Sequence, residues 1–185
     1  MSNGYLSLII GPMFSGKSTK LIQYIKKYKT LNKKMLIIKP SLDNRYTESS
    51  NICTHDMETH NCIMLEHNLL DTIYSLDDYV CADIIMIEEG QFFTNLYMIV
   101  QQMLSNNKII YISALNGDSN QQLFGEIYKL ISICDNIEFL QALCIECSDG
   151  TPAIFSKRLS TSNSEQILVA GSTEYKAVCR YHFLH

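Results

Sequence analysis

Gly11-Pro12-Met13-Phe14-Ser15-Gly16-Lys17-Ser18 fits the spacing G-x-x-x-x-G-K-[ST] without a gap. Glycines at both ends let the backbone turn tightly and aim several N–H groups inward, a nest suited to a polyphosphate. Lys17 is placed to reach the outer phosphates, and Ser18, opening a helix, offers a hydroxyl to Mg²⁺ beside the positive end of the helix dipole. The flanks agree with this reading. Tyr5 to Ile10 is an apolar run that reads as a strand, while Leu21, Ile25 and Tyr28 recur at helical spacing opposite Lys20, Gln23 and Lys27. Strand, loop and helix follow in the order a phosphate-binding loop requires.

Downstream the same alternation continues. Met35 to Lys39 reads as a short strand ended by Pro40, and the polar stretch from Ser41 to Asn61 as a long loop or hairpin. Ile63 to Leu70 and Ile73 to Tyr79 suggest a weak strand and helix. Asp83 to Glu89 is a continuous apolar run closed by two carboxylates, the pattern of a central parallel strand buried on both faces. Phe93 to Ser105 predicts a helix with Leu96, Ile99, Val100 and Met103 inward; Lys108 to Ala114 predicts another buried strand. Asn120 to Cys134 predicts a further helix, with Leu123, Ile127, Leu130 and Ile131 facing the core. Alternating strands and helices predict an α/β fold around a parallel sheet, a P-loop domain over residues 1–140. Past Leu140 the texture changes. Two strand-like runs, Ala153 to Leu159 and Glu165 to Gly171, suggest a small β appendage over residues 141–185.

The 185 residues carry 46% hydrophobic side chains, enough for a buried core, and a formal net charge of −4. No global basic field is present to gather a nucleic-acid backbone, and neither a secretory leader nor a 20-residue apolar span is visible, so a soluble, cytoplasmic protein is expected. Seven cysteines with one close pair argue for reduced thiols and a metal rather than a disulfide framework.

Two constellations carry chemistry. Successive strand side chains point to opposite sides, so Glu88 and Glu89 divide their tasks, one facing Mg²⁺ near Ser18 and one facing an acceptor substrate. Glu89 is the candidate base for phosphoryl transfer. Cys144-x-x-Cys147 and Cys179-x-x-His182 have the paired-knuckle spacing of a four-ligand zinc site. Four filled positions leave no place for a catalytic water, so such a metal is structural. His185 is an alternative fourth ligand. Cys53, Cys62, Cys81 and Cys134 show no such pairing, and His55, His60 and His67 read as surface residues.

Taken together, Gly11 to Thr19, Asp43-x-Arg45-Tyr46, Glu89-Gly-Gln-Phe-Phe93, Ala114-Leu-x-Gly117, Phe124-Gly125, Cys144-x-x-Cys147, Lys157-Arg158 and Tyr175-x-x-Val-Cys179-Arg180 resemble, in order and approximate spacing, the type II thymidine kinases of cells, bacteria and large DNA viruses. The resemblance implies transfer of the γ-phosphoryl of ATP to the 5′-hydroxyl of thymidine, and by extension deoxyuridine, in nucleotide salvage for DNA synthesis. It also implies structural Zn²⁺, Mg²⁺ and self-association, as a homotetramer. By position, Glu89 matches the proton acceptor, Lys17 and Ser18 the phosphate and magnesium contacts, and Asp43 with Arg45 a pair that holds the transferring phosphate. Met13, Phe92, Leu115, Phe124 and Tyr175 match positions around the base, and Gln166, Ile167, Leu168, Val169 and Ala170 a lasso whose backbone reads the pyrimidine edge. Three positions depart from the family pattern: Glu88 stands where Asp is usual, Ser119 where many members have Phe, and Ser156, near the base methyl, where Thr is usual. Rival readings are a P-loop ATPase acting on nucleic acid and a zinc-stabilised module that binds nucleotide without turnover.

Overall fold

A computed structural model describes residues 4–42, 51–53, 59–68, 72–159 and 174–185. Its centre is a six-stranded parallel sheet of β1 (Tyr5–Gly11), β2 (Met35–Pro40), β5 (Ile63–Leu65), β6 (Ile84–Ile87), β7 (Ile109–Leu115) and β8 (Asn136–Phe139), in the order β5-β2-β6-β7-β1-β8. The expected strand ending at Glu89 is therefore central, as its unbroken apolar run required.

The two sheet faces are covered differently. Along β6, Ile84 and Met86 join Ile9, Tyr111 and the inner face of α1 (Lys17–Lys29), namely Leu21, Ile22 and Ile25. Ile85 and Ile87 join the opposite cluster, with Leu6, Leu8, Ile110 and Ile112. That side is roofed by α3 (Leu96–Ser105), whose Leu96, Ile99, Val100 and Met103 are all fully buried. At about 1.5–3 kcal/mol for each fully buried aliphatic side chain, these two layers dominate the stability. Tyr111 anchors the α1 side, stacking on Tyr24 at 4.3 Å and sharing a 2.8 Å hydrogen bond with Tyr28.

Three expectations need correction. The helix predicted over Asn120 to Cys134 shrinks to α4 (Ile127–Leu130), with Leu123 65% and Ile131 48% exposed. Side-chain capture of the backbone decides this: Asp118 Oδ1 accepts from the amides of Asn120 and Gln122, both at 2.8 Å, offering this segment a turn instead of helical bonds. Gly125 then takes a left-handed φ of 59°, and a Cβ there would lie 2.2 Å from Gln91 O. The weak helix expected over Ile73 to Tyr79 is interrupted: Thr72 and Ile73 are helical, Leu76 is extended, and α2 (Asp77–Cys81) then begins with two aspartates that suit a first turn. Edge strand β8 was not foreseen. It is short, half exposed, and held by its neighbours more than by its own pattern.

The polar stretch does contain a hairpin, β3 (Asn51–Cys53) against β4 (Thr59–Asn61). In the appendage, β9 (Ala142–Leu143) pairs with β10 (Pro152–Ala153), and β11 (Phe155–Arg158) pairs antiparallel with β12 (Tyr175–Val178), leading into α5 (Arg180–Leu184). The partner of the first strand-like run is thus Tyr175–Val178. The run expected from Glu165 to Gly171 lies outside the described residues. Among the described residues no helix is long and apolar enough to cross a membrane.

Candidate active site

The phosphate loop leaves β1 at Gly11 and ends where Gly16, at φ 83°, starts α1. No side chain caps that helix and its first turn holds no acidic residue, so the positive end of its dipole is not neutralised locally. Basic Lys26, Lys27 and Lys29 sit in the last turn, where the dipole favours them. Gly11 is required for a reason besides turning: a Cβ there would meet Leu140 O at 2.4 Å. Within the loop, Ser15 Oγ and Lys17 Nζ both donate to Pro12 O, at 2.8 and 2.7 Å. Lys17 is 8% exposed, so its ammonium lies across its own loop, while Ser18 is half-buried one residue further on.

Alternation along β6 puts Glu88 on the same sheet face as Ile84 and Met86, the face that α1 covers. Glu88 is 4% exposed, just past the carboxyl end of β6. A buried carboxylate oxygen and a serine hydroxyl on the same sheet edge are donor types that suit a small divalent ion such as Mg²⁺. Glu89 leaves the strand with φ 51°, a left-handed conformation that redirects the chain into the 3-10 turn Gly90–Phe92. It is half-buried. β1 and β6 are separated only by β7, so the loop and the two glutamates emerge on the same carboxyl edge of the sheet, about 10 Å apart by strand spacing.

Around this edge, the rings of Phe92 and Phe124 meet edge to face at 5.4 Å and 84°. Leu115 ends β7 half-buried, Met13 and Tyr175 are each 7% exposed, and Ser119 is half-buried. A cavity of 140 Å³ is lined by Asn116, Gly117, Asp118, Gln121, Ile154, Phe155 and Ser156. Ser156 has a second task that the sequence did not reveal: its Oγ accepts from Met13 N. Asp43, Arg45, Gln166, Ile167, Leu168, Val169 and Ala170 lie outside the described residues.

Two buried polar residues were not singled out as site residues. Gln91, quoted above only as part of a motif, is 3% exposed and bonds to Glu89. Lys39, 2% exposed at the end of β2, shares the α1 face with Glu88 on the adjacent strand. Its signal was a lysine closing an apolar strand, a position where burial of a charge requires compensation.

The appendage gathers Cys144, Cys147, Cys179 and His182, whose ligand atoms all lie within 4.8 Å of one another. His182 Nδ1 is 3.6, 3.4 and 3.5 Å from the three sulfurs in that order, and the Cys147 and Cys179 sulfurs are 3.8 Å apart. A tetrahedron about an ion with bonds of about 2.3 Å to sulfur and about 2.0–2.1 Å to nitrogen has edges of about 3.8 and 3.6 Å. The four residues therefore fit zinc closely. Burial resists ionisation of Cys144, but the amides of Cys179 and Cys147 outweigh it and bring the thiol down to about 6. His185 is turned elsewhere, stacked on Tyr181 with Nδ1 3.0 Å from Tyr181 O. Cys62, Cys81, Cys134, Cys144, Cys147 and Cys179 are not joined in disulfides.

Comparison with known proteins finds relatives that match along nearly the whole chain. The family described as thymidine kinase matches residues 4–183. The thymidine kinase of fowlpox virus is 37% identical over 99% of this chain and 98% of its own length. That of sheeppox virus is 40% identical, covering 97% of each, and that of myxoma virus 38%, covering 97% and 96%. Among solved structures, the Legionella pneumophila ATPase DotB aligns over 82% of this chain and 44% of its own, at 14% identity and a TM-score of 0.45.

Proposed function

The chain belongs to the thymidine kinase family, and from that premise we propose that it transfers the γ-phosphoryl group of ATP to the 5′-hydroxyl of thymidine, giving dTMP and ADP. The observation that carries this reading is the shared carboxyl edge from which the phosphate loop and Glu88-Glu89 both emerge. Phosphoryl transfer asks the protein to position two substrates in line, neutralise charge on the moving group and receive one proton. Gly11 to Ser18 cradle the ATP phosphates, with Lys17 drawn from Pro12 O onto the outer ones. Ser18 and Glu88 would hold Mg²⁺, which would supply positive charge to offset that of the phosphates. As the nucleoside oxygen bonds to phosphorus and the bond to ADP breaks, the hydroxyl proton passes to the carboxylate of Glu89.

In this reading Phe92, Phe124 and Tyr175 pack against the pyrimidine, with Met13, Leu115, Ser119 and Ser156 at its edges. Asp43, Arg45 and the segment from Gln166 to Ala170 act as the family resemblance implies. Residues 1–140 form the ATP-binding unit and residues 141–185 a lasso unit held by structural zinc on Cys144, Cys147, Cys179 and His182. The protein acts in the cytoplasm, in nucleotide salvage, as a homotetramer, and accepts deoxyuridine as a second substrate. The relatives bear the kinase name, which leaves an ATPase acting on nucleic acid without support.

The test is incubation with ATP, Mg²⁺ and a panel of nucleosides. Thymidine-dependent formation of dTMP is expected; the absence of any pyrimidine monophosphate product ends the proposal.

A further inference from the structure

Two residues past Glu89, the 3-10 turn buries the carboxamide of Gln91 between two elements. Its Nε2 donates to Glu89 Oε2 at 2.5 Å, and its Oε1 accepts from Leu115 N at the end of β7 at 3.1 Å. A backbone N–H can only donate, so the oxygen of Gln91 must face Leu115 and the NH₂ must face Glu89. The amide orientation is fixed by that chemistry. The turn itself is backed by Gly125, whose missing side chain lets the chain pass against Gln91 O.

We propose that Gln91 is a positioning residue for phosphoryl transfer, clamping the carboxylate of Glu89 from the end of β7. The proposal rests on Glu89 being the proton acceptor. A glutamate on a left-handed turn residue has three side-chain torsions to settle, and proton acceptance demands a reach of about 2.6–3.2 Å to the attacking hydroxyl. A charge-assisted hydrogen bond from a buried, itself anchored amide supplies that restraint. Because the anchor is Leu115 N, the carboxylate is held in register with the strand end that also carries Leu115 beside the base.

The decisive experiment is a double-mutant cycle. Gln91→Glu keeps the volume and the acceptor for Leu115 N while replacing the donor that faces Glu89. We expect kcat to fall about 10- to 100-fold, the scale of a misplaced reacting group, with the KM for ATP changed less than about threefold. In a Glu89→Gln background, the same change should cost less than about twofold, because the group it positions has already lost its function. Equal fold losses in both backgrounds, or an unchanged kcat for Gln91→Glu alone, overturn the proposal. Should Gln91→Glu not fold, as judged by circular dichroism, Gln91→Met takes its place in the same cycle. Wild-type-like turnover by Glu89→Gln alone instead refutes the proton-acceptor reading, a result distinguishable from failure of the Gln91 cycle.

Discussion

Ser156 Oγ accepts a hydrogen bond from Met13 N at 2.9 Å, in a buried contact between residues 143 positions apart. The contact ties β11 of the appendage to the phosphate loop, and Phe14 reinforces it by packing into the appendage cluster of Ala142, Cys144, Ala153, Ala177 and Val178. The phosphate loop and the Cys/His-bearing appendage therefore share a wall.

Ser156→Ala should leave Met13 N without its acceptor. A buried amide so orphaned costs about 1–3 kcal/mol. The expected result is a lower urea midpoint and a KM for ATP raised severalfold, read by denaturation and steady-state kinetics. An unchanged KM for ATP argues that the loop holds its shape without the appendage.

Loss of the metal should be felt at both substrates. Cys147→Ser removes one of four candidate ligands clustered within 4.8 Å, and chelation of the wild type removes the ion itself. Metal analysis should find one zinc per chain in the wild type and none in the variant. The nucleoside KM should rise most, and ATP affinity should fall as well, through Phe14 and Met13.

Glu89→Gln is nearly isosteric and deletes only proton acceptance and charge. Turnover should drop about 10²- to 10⁴-fold while ATP affinity, measured by equilibrium binding, stays within about twofold. Wild-type-like turnover rejects the assignment.

One side-chain group on the α1 face should contribute to both pH limits of stability. Burial pushes Glu138 toward the neutral form, but hydrogen bonds from Lys20, 2.7 Å away, and from Tyr24 outweigh it and hold the carboxyl below its ordinary 4.5. Its contribution is complete above pH 4.5 and is lost as the pH falls through the depressed folded value. Tyr24 is raised from 10.0 to about 12, first by its hydrogen bond to Glu138 and then by burial. Its contribution is complete below pH 10.0 and disappears as the pH rises toward about 12. Glu138→Gln should flatten the acid limb of urea midpoint against pH, and Tyr24→Phe the alkaline limb.

Much of the fold was legible because its cues are local. The phosphate loop combines fixed glycine spacing with a flanking strand and helix, β6 is a short unbroken apolar run, and α3 is a periodic stretch whose burial follows its pattern. The helix over Asn120 to Cys134 misled because its apolar spacing was real, yet Asp118 offered the backbone other partners and Gly125 took a conformation that helices exclude. Edge strand β8 was missed because Asn136 to Phe139 acquires its place from β1 and from Lys20 and Tyr24 on α1.

The amino-acid sequence by itself determined the phosphate loop, the parallel α/β plan, the three cysteines of the candidate metal cluster and the pairing of two carboxylates at a strand end, since each depends on short-range spacing. The choice of His182 over His185, the burial of Lys39, the grip of Gln91 on Glu89 and the contact between Ser156 and Met13 were decided only by the tertiary structure. Those relations join backbone and side-chain groups brought together by packing, and no periodicity along the chain encodes which donor will meet which acceptor.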